Sequence, residues 1–502
     1  MTRLSPLMAV FSAGALALAG CTMGPDFEKP VAAPDAGYTP EPLPAKTDEA
    51  KAENGQAQTF VTAQDIPGQW WTLFQSPNLD ALVRQAIAGN PDIEAARAAL
   101  KVTHENATAQ LGAYYPTLTA GLSATRSRTA LGALSSTTAN PSPISNLYSA
   151  QVAASYMPDL WGLNQRTVES LRAQEESQRF QYEQVFLNLT ASVVVTAITE
   201  ATLRGQIDST REIIRLERES LGVLNHRFDL GDAAKVDVLA QEAALAQAES
   251  SLPPLEKQLG QTRDQLTVLL GKFPNQQPAE TFTLDTIHLP TELPVSLPSR
   301  LVEQRPDVAA ASANLHAATA QVGIAIASRL PNITLSANMG SIAPYVSGAQ
   351  GLFTPGMGFW NLSGDLAATL FDGFNLEHRQ RAAEAGLEQA AAQYRGVVLA
   401  AFQNVADTLT ALKYDATALS TAVAAEKAAA DTLEITRHQL ELGAIPYLVL
   451  LNAQQTELQA RITLVQSEAS RLADTAALFQ ALGGGWWNRP DVQTADSKTA
   501  SD

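Results

Sequence analysis

Few side chains in this sequence have the types and spacing that catalysis requires. The six histidines are scattered, and His104-Glu105 lacks the second histidine, four positions on, that a zinc-binding helix needs. The glycine run at 483–485 follows a predicted helix and is not followed by Lys-Ser/Thr, so it lacks the arrangement that cradles phosphate. The sequence therefore predicts no catalytic site, no metal site and no cofactor, and we do not expect an enzyme.

Cys21, the only cysteine, is placed for a different chemistry. Arg3 makes the start of the chain positive, an apolar run follows at 7–18, and the sequence LAGC ends at Cys21. This run is too short to span a bilayer and predicts a cleaved signal peptide at 1–20. LAGC resembles the lipobox of bacterial lipoproteins, which implies diacylglyceryl attachment to the thiol and acylation of the new amino terminus. An ordinary signal peptide with an incidental cysteine is the alternative.

The residue after the cysteine bears on sorting. In the lipoprotein class, an aspartate at this position implies retention in the inner membrane, whereas this chain has Thr22. The resemblance therefore implies a lipid-anchored protein of the bacterial outer membrane.

The charge of the chain excludes another class of function. The formal net charge is −17. Phosphate recognition requires clustered lysine and arginine, so we do not expect nucleic-acid binding. An acidic chain could instead bias a water-filled passage towards cations.

The sequence segments that would position any site occur twice along the chain. NPDIEAARAAL, starting at Asn90, matches RPDVAAASANL, starting at Arg305. The turns DLWG and LFDG, the Leu-Gly pairs at 230–231 and 442–443, and the sequences LTVLLG and LFQALG then follow in the same order. Matches in one order predict two structural repeats, and the Pro-rich stretch between them predicts a linker.

These signals divide the chain into six parts. In order, we expect a signal peptide at 1–20, a lipidated N-terminal tether at 21–60, a first structural repeat at 61–273, a linker at 274–298, a second repeat at 299–488 and a flexible tail at 489–502. The tether is rich in Pro, Ala, Glu and Lys, a composition that cannot bury a core of its own.

Each repeat contains two segments that alternate between apolar and small polar residues. They follow Pro116 and Pro331, and surround Tyr148 and Trp360. Alternation over about ten residues is typical of a membrane β-strand with one face to lipid and one to water. A half-buried sheet in a soluble protein is the alternative for any single strand, but four strands beside a lipoprotein signal favour a barrel. Tyr148, Tyr156 and Trp360 are placed for an interfacial girdle.

Most of the remaining sequence predicts long helices. Apolar residues recur in heptads, as at 207–228, which indicates coiled coils. Segments at 164–230 and 375–442 would each extend about 100 Å at 1.5 Å per residue. We expect Pro253-Pro254 to kink or interrupt its helix, because proline lacks the amide donor. Taken alone, the heptads equally fit a solid coiled coil.

The number of strands predicts an oligomer. Four strands cannot close a barrel, because membrane barrels need about eight or more. An open sheet in lipid would leave backbone groups unpaired, at a cost of several kcal/mol each. Other copies of the chain must therefore complete the wall.

Together these features resemble the TolC-like outer membrane factor family, in particular the lipoprotein branch of tripartite (RND-type) efflux systems. The resemblance rests on LAGC and GPDFEKP, WWTLF, the DLWG and LFDGF turns, RFDLGDAAKVDVL, HQLELGAIPYLVLL and ALGGGWW. It implies an α+β membrane protein, a trimer whose four strands per chain form a twelve-stranded transmembrane β-barrel. A long α-helical coiled-coil barrel would continue it into the periplasm. The implied function is a passive exit duct for drugs or other small molecules.

The resemblance also implies partners. Besides two further copies of the chain and outer-membrane lipid, these are a periplasmic adaptor (membrane fusion) protein and an inner-membrane transporter. The adaptor meets the turns at the far end of the helical barrel, which carries over to Arg227, Leu230, Gly231, Leu442 and Gly443. Turn chemistry alone, with glycine free to adopt positive φ at a helix C-terminus, explains either glycine equally well.

Family members close this end with carboxylates and apolar side chains. Asp431, Glu434 and Glu441 precede the second turn and are the candidate gate residues, with a solvated helix face as the alternative. The tryptophan pairs at 70–71 and 486–487 are expected to be packing anchors and not a ligand platform.

Two other functions compete with the efflux duct. A coiled-coil periplasmic adaptor or scaffold lipoprotein would carry one helical hairpin flanked by small β domains, whereas this sequence predicts two hairpins, each preceded by paired strands. Within the channel class, the sequence does not separate drug efflux from metal export or from the outer-membrane duct of a type I protein secretion system, although the lipoprotein branch favours drug-type pumps.

Overall fold

The computed structural model describes residues 22–30, 37–62, 64–128, 144–295, 298–344, 349–490 and 492. The predicted signal peptide, Cys21 and most of the predicted tail lie outside these residues. The described chain forms two compact units. The first unit contains Lys101–Ser177, Ser312–Gln393 and the described part of Met1–Lys29, and the second contains Pro30–Leu100, Gln178–Ala311 and the described part of Tyr394–Asp502.

The two repeats contain the same elements in the same order. Before and within the first repeat these are β1 (Thr59–Thr62), α1 (Pro77–Gly89), α2 (Pro91–Leu111), β2 (Thr117–Arg128), β3 (Ile144–Tyr156), α3 (Leu163–Asp229) and α4 (Lys235–Leu269). Before and within the second they are β4 (Glu292–Val295), α5 (Pro298–Gln304), α6 (Pro306–Ala327), β5 (Asn332–Pro344), β6 (Gly358–Ala367), α7 (Asn375–Glu441) and α8 (Tyr447–Ala481). Both long helices have 67 residues and both helices after them have 35. The predicted duplication is therefore confirmed.

The two long helices begin at the DLWG and LFDG turns, where aspartates cap them. Asp159 accepts a 2.8 Å hydrogen bond from the first turn of α3, and Asp372 accepts bonds of 3.1 and 2.8 Å from the first turn of α7. A carboxylate there satisfies free N–H groups and opposes the positive end of the helix dipole. Gly162 and Gly373, which correspond in the repeat, both have positive φ. The capping aspartate lies three residues before the glycine in the first turn and one residue before it in the second, but it caps the helix in both.

The long helices lie where the heptads predicted them, within one residue at either end. α3 contains the one stretch in the described helices that is long and apolar enough to cross a membrane, and 67% of that stretch is buried within the protein. Such burial is typical of a core helix.

The helix containing Pro253 and Pro254 is continuous, so the interruption that the sequence allowed there is absent. Both prolines are exposed, where water can bond the carbonyls that their missing N–H groups leave free. Just before them, Leu252 packs against a buried cluster that contains Ile213 and Ile214 of α3. This packing supports the helix where two of its own hydrogen bonds are lost.

The first unit contains an antiparallel sheet in the order β2-β3-β5-β6. Its strands have 12, 13, 13 and 10 residues, in the order of the sheet. Each repeat therefore contributes one hairpin, and the two hairpins join at β3 and β5.

The second unit is built on an aromatic core. Trp70 and Trp71 are buried, and Trp70 stacks on Phe479 with ring centroids 5.5 Å apart. Trp486 donates a 2.7 Å hydrogen bond to the carbonyl of Gln304. These contacts confirm that the tryptophan pairs anchor packing. Beside this core, β1 and β4 form a two-stranded parallel sheet.

Candidate functional site

One face of the four-stranded sheet is apolar and exposed. Residues paired directly across neighbouring strands project to the same side, and one such row joins Ala120, Val152, Met339 and Trp360. Leu122, two residues along β2, lies on the same face. Leu122 is 80% exposed and Trp360 is 81% exposed. Large exposed apolar surfaces mark contacts with a membrane or with another protein.

The opposite face of the sheet is polar. A row on this face joins Thr117, Ser155, Ser336 and Ser363. Nearer the middle of the strands, the hydroxyls of Ser123 and Ser149 share a 2.8 Å hydrogen bond. The four strands are therefore in phase, and most of their large apolar residues lie on one side; Leu147, Ile342 and Phe359 are exceptions on the polar side. A sheet of this kind suits a boundary between lipid and water.

The sheet does not close on itself. β2 and β6 are its outer strands, and among the described residues neither has a partner on its outer edge. Each strand is as long as the roughly 9–11 residues that cross a bilayer, or slightly longer. In hydrocarbon, the free N–H and C=O groups of two edges would cost several kcal/mol each.

The segment just after Cys21 is fixed to the first unit. Arg166, at the start of α3, donates hydrogen bonds to the carbonyls of Met23 (3.1 Å) and Gly24 (3.4 Å) and to the carboxylate of Asp26 (2.6 Å). Gly24 has a φ of 93°, and a Cβ there would lie 2.4 Å from the Cα of Gly323. Glycine is therefore the residue that fits. Sequence reasoning had treated this segment as part of a tether and missed the contact.

The two Leu-Gly turns end the long helices in the same way. Gly231 and Gly443 both have positive φ, as predicted. In the first turn the N–H of Asp232 donates to the carbonyl of Arg227 at 2.8 Å, and the corresponding bond in the second turn is 2.9 Å. This is the Schellman arrangement, which satisfies the last carbonyls of a helix. A Cβ at either glycine would meet no atom within 4 Å.

The other predicted tip residues are exposed. Leu230 and Leu442 are each 71% exposed, although leucine has no favourable contact with water. Arg227 is partly exposed, and its Nε lies 3.3 Å from a carboxylate oxygen of Asp232. The two turns therefore present matching apolar side chains at equivalent positions.

A buried polar group behind these turns was not predicted. The hydroxyl of Tyr447, at the start of α8, donates to the side-chain oxygen of Gln241 at 2.8 Å. Gln241 donates to the backbone carbonyl of Glu217 at 3.0 Å and also to its carboxylate. Burial raises the pKa of Glu217, which the bond to Gln241 partly offsets, and raises the pKa of Tyr447 to about 12. The available signal was a glutamate three residues after Ile214, within an apolar heptad seam.

The three gate candidates lie on one exposed side of α7. Asp431, Glu434 and Glu441 fall within a stripe roughly 80° wide at 3.6 residues per turn, and all three are exposed. Leu433, on another side of the helix, is buried. Glu441 lies 3.6 Å from the ring of His438. The structure thus places the carboxylates together along the helix, on a face that its own chain leaves open.

Comparison with known proteins gives matches over both repeats. The family described as "Outer membrane efflux protein" matches residues 82–272 and 297–484, one stretch in each repeat. The pyoverdine export outer membrane protein OpmQ of Pseudomonas putida is 29% identical over 448 residues, covering 89% of this chain and 94% of that protein. The probable outer membrane lipoprotein SilC of Salmonella typhimurium is 28% identical over 485 residues, covering 93% and 96%. The solved outer-membrane channel OprN matches with a TM-score of 0.83 at 25% identity, covering 93% of this chain and 100% of that one.

Proposed function

Since this chain belongs to the outer membrane efflux protein family, we propose that three copies of it form a passive exit duct for drugs or other small molecules. The family places the chain in the outer membrane as the channel component of an efflux pump, a transport protein and not an enzyme. The trimer, the direction of the duct and the class of cargo are parts of the proposal.

The four-stranded sheet carries this proposal. Its apolar face is exposed along all four strands, and its two outer edges have unpaired backbone groups among the described residues. Pairing β6 of one copy with β2 of the next would satisfy both edges and keep every apolar face outward. Closure through copies of the same chain is therefore the arrangement that the sheet favours in lipid.

Three is the number of copies that the TolC-like resemblance implies. Three sheets of four strands give twelve strands, an even number within the range of about 8 to 26 seen in bacterial barrels. We further propose that the long helices continue the barrel into the periplasm. The division expected from the sequence, from the signal peptide at 1–20 to the tail at 489–502, belongs to the same proposal.

We also propose that Cys21 anchors the chain to lipid. The support is the docked segment that follows it, which is fixed next to Trp161, shortly after strand β3. If β3 crosses the membrane, a lipid on Cys21 would reach the leaflet on the periplasmic side. The relative SilC is named as a probable outer membrane lipoprotein.

The two turns are proposed as the surface that meets a periplasmic adaptor protein, which would link the duct to an inner-membrane transporter. Exposed leucines at equivalent positions, Leu230 and Leu442, support this role, because a partner that covers them removes apolar area from water. Because Gly231 and Gly443 have no side chains, the partner could approach the backbone closely there. Arg227 would offer the partner a charged group beside the first turn.

Asp431, Glu434 and Glu441 remain the proposed gate residues. Their shared exposed face on α7 would allow three copies of the helix to bring carboxylates together around one axis. Like charges held close repel and attract cations, so such a ring would select what passes. Family membership sets aside the adaptor or scaffold alternative, since this family forms outer-membrane channels.

The barrel is tested by one substitution on each face of β2. We expect Leu122→Arg to abolish stable insertion, because arginine facing lipid near mid-bilayer costs about 2–4 kcal/mol. Ser123→Arg, the next residue on the polar face, should still give a trimer by light scattering in detergent, with an altered conductance in planar bilayers. If wild-type protein were a monomer without pores, or if both variants behaved alike, the barrel would be rejected.

The anchor is tested by replacing the thiol. Cys21→Ser should lose incorporation of labelled palmitate, because the serine hydroxyl does not receive the diacylglyceryl group. A matched Thr22→Ser variant should keep the label. Equal labelling of the Cys21→Ser protein would show that lipid is attached elsewhere or that the label is not specific.

The adaptor surface is tested by charge at the turns. We expect Leu230→Asp combined with Leu442→Asp to lower export to the level of a strain without the protein, because a partner cannot bury an unpaired carboxylate. Trimer formation and conductance should be unchanged. The control is Val268→Asp, which places the same charge at an exposed apolar residue away from the turns. This variant should export normally. Normal export by the double variant would remove the turns from the interface.

The gate is tested by neutralising its carboxylates one at a time. Asp431→Asn, Glu434→Gln or Glu441→Gln should raise single-channel conductance where the residue belongs to the closing ring. Glu388→Gln, on another exposed part of α7, serves as the control and should match wild type. A variant whose conductance is unchanged is thereby excluded from the ring.

A further inference from the structure

The charged side chains of the four-stranded sheet lie at its two opposite ends. Arg126 and Arg128 of β2 and Asp365 of β6 are the charged residues of the four strands. Asp365 pairs with Thr334 on the polar face, close to the end of the sheet where α6 and α7 attach. The two arginines lie at the other end, where β2 stops. Positive charge is thus confined to the end of the sheet that is far from the helices.

Both arginines are on the apolar face of the sheet. Arg126 pairs with Asn146 and Arg128 pairs with Ile144, so the ladder between β2 and β3 continues without a break to the end of β2. Each arginine is an even number of residues from Leu122, and side chains at even spacing on a strand project to the same side. Both are exposed. Their side chains therefore point away from the polar face that would line a channel.

The sequence around these arginines contains no carboxylate. No charged residue occurs between Arg128 and Asp159, and none occurs between Arg329 and Asp365. These two stretches include both segments that connect the strands of a hairpin. In a chain of net charge −17, the end of the sheet that carries the arginines is therefore positive, with no acidic residue in either hairpin connection to balance it.

The arginines lie at the depth of a membrane surface if the sheet spans a bilayer. Leu118 is near the start of the apolar face, and Arg126 follows it after eight residues, or about 27 Å at roughly 3.4 Å per residue. A strand tilt of about 40° reduces this distance to about 21 Å along the membrane normal, against an apolar band about 25 Å tall. Arg128 lies about 5 Å beyond, by the same reasoning. An arginine facing lipid costs little at this border, whereas it is costly at the midplane.

The residues next to the arginines suit a ligand that is polar at one end and apolar at the other. Tyr148 pairs with Ala124, so it lies on the same face between Leu122 and Arg126. Tyrosine is typical of the boundary between hydrocarbon and headgroups. The face thus changes from leucine through tyrosine to arginine along β2, which is the order of acyl chain, interface and headgroup in a lipid.

Arginine also has the geometry to bind phosphate. Its planar guanidinium donates two parallel hydrogen bonds to one phosphate group, which the ammonium of lysine does not. Residues two apart on a strand have Cα atoms about 7 Å apart. Arg126 and Arg128 can therefore reach a single phosphate, or two phosphates of one headgroup, from the same face.

We propose that Arg126 and Arg128 bind the phosphate groups of a phosphorylated glycolipid in the outer leaflet of the outer membrane. The inference rests on the proposed function, since it requires the sheet to span that membrane with the helices on the periplasmic side. β2 is an outer strand of the sheet, so the bound lipid would lie beside the junction with β6 of the next copy. Its acyl chains would cover apolar side chains on both sides of that junction.

Binding of fluorescent, bisphosphorylated lipid A to the full-length protein tests the site. The protein would be freed of lipid in a neutral detergent and titrated at low salt. We expect Arg126→Gln combined with Arg128→Gln to raise the Kd about thirtyfold, because two cations near an anionic headgroup are lost. The matched control is Arg329→Gln combined with Arg379→Gln, at two exposed arginines near the opposite end of the sheet. The control should bind as wild type does.

The wild-type protein provides a test that does not depend on the variants. Lipid A without its phosphates should bind wild type about as weakly as the phosphorylated lipid binds the Arg126→Gln, Arg128→Gln protein. Inorganic phosphate at the same phosphate concentration should not displace the labelled lipid. Equal affinity for the two lipids would overturn the phosphate site, and displacement by inorganic phosphate would overturn lipid as its occupant.

Failure of this site can be distinguished from failure of the duct. Trimer formation and conductance should be unchanged in the Arg126→Gln, Arg128→Gln protein, because both side chains face away from the polar side. A wild-type trimer with normal conductance whose lipid affinity is unaffected by the double substitution would overturn the lipid site and leave the duct standing. Wild-type protein that is monomeric and forms no pore would overturn both.

Discussion

The requirement that every backbone hydrogen bond be satisfied in lipid governs the part of this protein that contains the sheet. Four in-phase strands give a wall with one apolar and one polar face, but a flat piece of wall has two unpaired edges. In water those edges would be bonded by solvent, whereas in hydrocarbon they would not. The exposed leucines and the open edges are thus explained by the same environment. In lipid a single copy would leave those edges unpaired, which is the reason for proposing that further copies close the wall.

The duplication supplies both halves of the sheet from equivalent elements. Each repeat supplies one hairpin of the sheet, a long helix of 67 residues and a helix of 35, and equivalent Leu-Gly turns join the two helices in both repeats. The sequences of the two repeats differ, but equivalent helices are capped in the same way. The cap of α3 is Asp159 and the cap of α7 is Asp372, at different positions relative to the turn glycine. What the two halves share is a carboxylate that can reach the free N–H groups of a helix start.

Local patterns in the sequence predicted the helices and strands well, but they did not predict contacts between distant residues. Period-two alternation gave the faces of β2 and β5 correctly, and Leu-Gly gave the ends of α3 and α7. Neither the bonds from Arg471 to residues 47–58 nor those from Arg166 to residues 23–26 could be read from composition, because each joins residues more than a hundred positions apart. Pro253 and Pro254 did not interrupt their helix, because packing of Leu252 against Ile213 and Ile214 of α3 supports it there.

Polar residues inside the helical unit carry information that heptads lack. An apolar seam looks nearly the same after a shift of seven residues, so it does not determine register alone. Glu200 of α3 is buried and accepts from Arg204 at 2.8 Å and from Arg263 of α4 at 2.6 Å. Burying that carboxylate costs free energy, and the register that brings Arg263 opposite it adds a second cation to Arg204 of the same helix, which offsets more of the cost. Arg489, which follows the last helix, pairs with Glu183 of α3 at 2.8 Å while its guanidinium lies over the ring of Phe186, so it fixes the segment after α8 against α3. In helices of this length, buried ion pairs select one alignment among several that the apolar residues would accept.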